Sequence, residues 1–128
     1  MRYRTFVIAA ALAGLSAGPG RTQDQETLAQ KAQAQEEQAL ALLRASSAQS
    51  AIITFCAKHF TIDGTTALRI SQTARDVASK ILGEDRSTAA FKDELARRYA
   101  EVKDIGEQQW CADQRDALAQ GEAQIFKN

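Results

Sequence analysis

Ala51-Ile52-Ile53-Thr54-Phe55-Cys56-Ala57-Lys58-His59-Phe60 is the most apolar stretch beyond the first twenty residues, and its reading decides the fold. On propensity alone, Ala51–Phe55 could be a strand, because Ile, Thr and Phe fit a pleated surface. The longer spacing outweighs that: Ile52, Phe55, Cys56, His59 and Phe60 recur as one face of a helix. Asp63-Gly64 then breaks the pattern as a turn. The chain is therefore read as all-α, a small bundle of three or four helices.

Downstream, Thr65 or Asp63 is placed to cap a helix whose apolar face is Ile70, Ala74, Val77, Ala78 and Ile81, with Gly83 as its stop. Ser87 or Asp85 opens the next helix, with Phe91, Leu95, Tyr99, Val102 and Ile105 as its stripe. Asp93 with Arg97 and Glu94 with Arg98 are spaced as favourable i, i+4 pairs. At Gly106 the stripe changes phase, so either the helix kinks there or a new one starts and turns Trp110 and Cys111 inward. Gly121 is the expected end. The predicted core is Leu43, Ile52, Phe55, Leu68, Ile70, Val77, Ile81, Phe91, Leu95, Tyr99, Val102, Ile105 and Trp110.

Upstream, residues 21–50 are Gln-rich, and from Thr22 the bulky apolar groups are Leu28, Leu40, Leu42 and Leu43. Helix propensity is high there but little can be buried. A separate frayed or extended N-terminal helix, docking through Leu40–Leu43, is expected. Disorder before Leu40 is the alternative.

Residues 1–20 have the three zones of a secretory signal peptide. Arg2 and Arg4 supply the positive end, Phe6–Leu15 is an uncharged run of ten residues, and Ser16–Gly20 is small. Ten is too few to cross a bilayer, which needs roughly 20 residues. Cleavage after Ala13, Ala17 or Gly20 is compatible with the small-residue rule to differing degrees, and Gly20 is taken as the boundary. The organisation read is thus a signal peptide over 1–20, a polar helix over 21–50 and a helical domain over 51–128. That implies a periplasmic or secreted protein.

Without the leader, the formal charge falls from zero to −2. Clustered Lys and Arg for nucleic acid, or a polybasic segment for anionic lipid, are not evident. The one proline, Pro19, falls in the leader. Residues 21–128 are rich in Ala, Leu, Gln, Glu, Arg and Lys, a helical composition.

Cys56 and Cys111 are the only cysteines. An even count in a small exported chain reads as a disulfide. A C-x-x-C dithiol and a C-x-x-C-H haem site are both missing. Two cysteines with His59 could supply three zinc ligands, but the spacing lacks paired local ligands at both ends. No cofactor or metal is expected.

His59, the single histidine, sits one helical turn from Cys56, so a thiol nucleophile with its base is conceivable. The bridge would consume that thiol. G-x-S-x-G, H-E-x-x-H, a phosphate-binding Gly-rich loop and an EF-hand loop are absent. Glu36-Glu37, Glu84-Asp85 and Asp93-Glu94 are adjacent carboxylates that do not face one another on a helix and read as solvated surface. Arg97-Arg98 with Arg69 and Arg75 could gather as an anion patch, though surface ion pairing is the commoner fate.

In size, leader and two widely spaced cysteines the chain resembles the small periplasmic acid-stress chaperones, which are helical and carry one disulfide. The resemblance covers architecture alone and brings no site residue with it. Export, small size, helical content and the missing catalytic motifs lead to the expectation of a non-enzymatic periplasmic binding, accessory or stress/chaperone-like factor, with another periplasmic or envelope protein as partner. Two alternatives compete: a thiol-dependent enzyme or redox protein using Cys56 and His59, and an assembly protein acting through its N-terminal helix. Apolar positions in that helix do not sustain heptads.

Overall fold

A computed structural model describes residues 19–119, 121 and 124–127, with side chains from Thr27 onward. Of the leader read over residues 1–20, residues 1–18, with the cleavage points at Ala13 and Ala17, lie outside the described residues. Four helices are described: α1 (Pro19–Phe55), α2 (Gly64–Leu82), α3 (Glu84–Ile105) and α4 (Glu107–Leu118). The predicted all-α bundle is what forms. The chain divides into two units between Gln35 and Glu36. In the first, every side chain from Thr27 to Gln35 is exposed, Leu28 included.

The two helices expected on either side of Ser50 are one. No glycine or proline interrupts residues 21–61, and the serines that could have broken the helix bond within it. Ser47 Oγ donates to the Arg44 carbonyl at 2.8 Å, and Thr54 Oγ1 donates to the Ser50 carbonyl at 2.9 Å. The expected run to Phe60 stops at Phe55. Beyond it the chain turns, with the N–H groups of His59 and Phe60 both donating to the Cys56 carbonyl.

Asp63 caps α2: its carboxylate accepts from the Thr66 N–H at 3.1 Å and from the Thr66 hydroxyl at 2.7 Å. The buried stripe of α2 is Ala67, Ser71, Ala74, Ala78 and Leu82, all but the last small. This corrects the predicted core. Leu68 is 50% exposed, Ile105 49%, Tyr99 41% and Val77 39%. Small side chains bring α2 close to its neighbours, and the bulky residues beside that seam are left at its edges.

Gly83 ends α2 and also opens α3, so the expected starts at Asp85 or Ser87 fall two and four residues too late. Its φ of +89°, and +100° at Gly106, lie in the left-handed region that glycine enters without a Cβ clash. Glu84 and Asp85 then sit in the first turn of α3, where the helix dipole favours negative charge. At Gly106 a new helix starts, which resolves the alternative left open by the sequence. It carries Trp110 and Cys111 inward, both buried.

The core has two parts. One gathers Ile52, Cys56, Ala67, Val102, Trp110, Cys111 and Ile125; the other gathers Ala39, Leu43, Ala78, Leu82 and Phe91. Along α1, α2 and α3 alike, polar residues fall between them. The hydroxyls of Ser46 and Ser71 lie 2.8 Å apart, with Ser50 Oγ 3.2 Å from Ser71 Oγ. Glu94, read as solvated surface, is only 8% exposed. It is compensated by three guanidinium groups: Arg97 at 3.3 Å, Arg44 at 3.9 Å and Arg98 at 4.0 Å. A buried carboxylate needs such partners, because leaving water is costly for a bare charge.

Candidate functional site

Chemically distinctive side chains collect where α1 ends, α4 begins and the C-terminal segment returns. Cys56 is the first residue past α1 and Cys111 lies in the second turn of α4. Their sulfurs are bonded, with Cα atoms 5.5 Å apart, and both residues are fully buried. The bond joins positions separated by 55 residues, so it ties α1 to α4 around most of the folded domain.

His59 leaves the turn after Cys56 and meets Glu107, in the first turn of α4. Its Nε2–H donates to Glu107 Oε1 at 3.3 Å, while Lys58 Nζ reaches the same oxygen at 2.7 Å. Hydrogen bonding from Lys58 foremost, then His59, holds the Glu107 carboxyl below its ordinary range. The pair considered in the sequence, Cys56 with His59, therefore differs in the fold. The thiol is taken by Cys111 and the imidazole faces a carboxylate.

Phe60 lies on the other side of the turn. The Arg115 guanidinium sits 4.7 Å from its ring centroid, and Phe126 meets it edge-on at 5.7 Å. Arg115, Asp116, Leu118, Gln124, Phe126 and Lys127 contribute to the walls of a cleft of about 300 Å³. The lining is mixed: apolar Leu118 and Phe126 stand beside Arg115, Asp116 and Lys127, charges of both signs. Cys111 and Ile125 belong to the core cluster against which Phe60, Ile62 and Phe126 pack.

The remaining sequence candidates do not come together. Arg97 and Arg98 turn to Glu94, Arg98 also to Glu101 at 2.8 Å. Arg97 thus pairs at i−3 rather than with Asp93. Arg75 lies over the Phe91 ring at 4.0 Å, and Arg69 donates to the Thr66 hydroxyl at 3.4 Å. Glu36 pairs with Arg86 at 2.7 Å. Among the described residues no three His, Cys, Asp or Glu side chains are grouped to hold a metal, and no helix is long and apolar enough to cross a membrane.

Sequence reasoning missed Glu107, Arg115, Ile125, Phe126 and Lys127. Glu107 carried a usable signal, an acid directly after the helix-breaking Gly106. Ile125-Phe126, a β-branched and aromatic pair after Gly121, carried another. Neither is visible in a search for helical periodicity.

No protein-family model matches the chain, and neither the curated proteins nor the solved structures contain a similar one.

Proposed function

We propose that this is an exported, non-enzymatic helical protein of the periplasm or extracellular space that acts by binding, as an accessory or chaperone-like factor. The observation that carries the reading is the state of its sulfurs. A nucleophilic or redox role for Cys56 needs a reachable thiolate, and Cys56 is bonded to Cys111 and buried. The leader over residues 1–20 supports export, and an oxidising compartment suits the disulfide. Binding is supported by the bulky apolar groups left outside the core, Leu68, Val77, Tyr99 and Ile105, which can meet apolar segments of another protein.

Two measurements test this. Intact mass of the protein from the cell envelope, with and without reduction before alkylation, is expected to show loss of the leader and two thiols that react only after reduction. A full-length mass with freely reactive thiols would reverse the compartment and restore the Cys56–His59 enzyme reading. Light scattering of an aggregating client protein should fall when the mature protein is added in equimolar amount. Unchanged scattering removes the chaperone-like part of the proposal and leaves dedicated partner binding.

A further inference from the structure

The segment 124–127 belongs to no helix, yet Ile125 is completely buried. It is held like a single rung of antiparallel sheet, with Ile62 opposite Phe126. The Asp63 N–H donates to the Ile125 carbonyl at 2.8 Å, and the Lys127 N–H donates to the Thr61 carbonyl at 2.9 Å. Phe126 rests edge-on against Phe60, and Lys127 Nζ lies 3.6 Å from Asp63 Oδ2. Ile125 shares its apolar cluster with both sulfurs of the disulfide.

From this we propose that residues 124–127 are a detachable strap over the Cys56–Cys111 bond, and that a dithiol reductant reaches the sulfurs by strap release without unfolding of the bundle. Detachment gives up one buried aliphatic side chain, the half-buried Phe126 with its edge-on contact to Phe60, two backbone hydrogen bonds and an ion pair. Global unfolding gives up both core clusters, so release is the cheaper opening. It also removes from residues 61–63 their only rung of sheet pairing among the described residues, and so loosens the turn that carries Cys56.

The exchange is balanced. A reductant thiolate attacks one cysteine sulfur and forms a mixed disulfide, while the other cysteine leaves as a thiolate and takes a proton. The reductant's second thiol then displaces the remaining protein sulfur. Two cysteine thiols and one oxidised reductant result, a two-electron transfer.

The test follows reduction of the folded chain by dithiothreitol, read as alkylated thiols by intact mass, at urea concentrations below the unfolding transition. A rate nearly independent of urea is expected, because strap release exposes little surface. Lys127→Ala should raise the rate several-fold and Ile125→Ala tenfold or more. Leu43→Ala, in the other cluster, should leave it within twofold. Should Ile125→Ala not fold, Lys127→Ala and the urea slope of the unsubstituted chain decide. A rate that climbs with urea in step with global unfolding overturns the proposal. So does equal acceleration by Leu43→Ala, or no reduction before the bundle unfolds.

Discussion

The two ends of the bundle close in opposite ways. Where α2 passes into α3, one glycine completes the connection: Gly83 accepts the role of stop and start, and its N–H donates to the Ser79 carbonyl at 2.8 Å. The core beneath it, Ala39, Leu43, Ala78, Leu82 and Phe91, comes entirely from helices. The other end has to bridge α1 to α2 through residues 56–63 and also take in residues 124–127. Helices alone leave its core open, and it is sealed by a covalent bond, by Trp110 from the short α4, and by Ile125 from the tail. Irregular chain is poor at covering apolar surface, because its backbone groups need partners of their own. The single β rung between residues 61–63 and the tail supplies those partners.

The largest expected effect comes from removing the covalent part of that seal. Replacing Cys56 and Cys111 together by serine opens a loop of 55 residues. On the chain-entropy account this costs about 4 kcal/mol of stability, measurable by urea unfolding. Amide exchange should quicken first around Trp110 and Asp63, with protection near Leu82 and Gly83 retained longer. Even loss of protection across both ends would break the comparison.

Next in size are Leu43→Ala and Ile125→Ala, one from each cluster, each expected to cost about 3 kcal/mol. With the Ser46–Ser71–Ser50 hydroxyls and Glu94 between the clusters, the double variant should sum the single effects. A coupling beyond about 0.5 kcal/mol would mean the polar layer does not separate them. Ser71→Ala is smaller, about 1 kcal/mol, since it leaves the buried Ser46 hydroxyl without its side-chain partner. Ser46→Ala and Ser71→Ala in the same cycle should fall short of additive, because they remove the same bond.

Much of this architecture is legible from local signals. Gly83 and Gly106 mark helix ends because positive φ excludes most other residues, and Asp63 caps because its carboxylate reaches the Thr66 N–H. The pairing of the only two cysteines follows from their even count together with the expectation of export. Features set by tertiary packing escape. Ala74 and Ala78 fall on the expected face of α2, but Ala67 and Ser71, which complete its buried seam, do not register when bulky residues are used to find a face. Periodicity puts Leu68 and Val77 inside for the same reason. Glu94 is indistinguishable in sequence from its exposed neighbour Asp93; besides Arg97 and Arg98 on its own helix, it meets Arg44 from α1, a partner that sequence spacing does not reveal. The candidate site is half legible: its cysteines and His59 stand out in the sequence, but not Glu107, which meets His59 across 48 positions, or the segment 124–127, which pairs with residues 61–63 from the far side of the chain.

The smallest effect is also the one that separates the ends by pH. Asp63, which caps α2, and Glu107, in the first turn of α4, have carboxyl pKa values held below the ordinary 3.8 and 4.5. For Asp63 the cause is foremost hydrogen bonding from the Thr66 side chain and backbone; for Glu107 it is Lys58. A carboxylate whose folded pKa is depressed stabilises the fold above its unfolded value. That contribution is lost as pH falls from about 4 through the lower folded value. Acid should therefore loosen residues 61–63 and the tail before it loosens the Gly83 turn. Amide protection of Lys127, whose N–H is bonded to Thr61, should decline relative to that of Gly83, bonded to Ser79, as pH drops below about 4. Asp63→Asn keeps an acceptor for the Thr66 N–H but cannot titrate, so it should flatten most of that decline. If the wild-type and Asp63→Asn profiles coincide, the acid sensitivity of this end lies in Glu107 and its Lys58–His59 contacts instead, and Glu107→Gln should then flatten the curve.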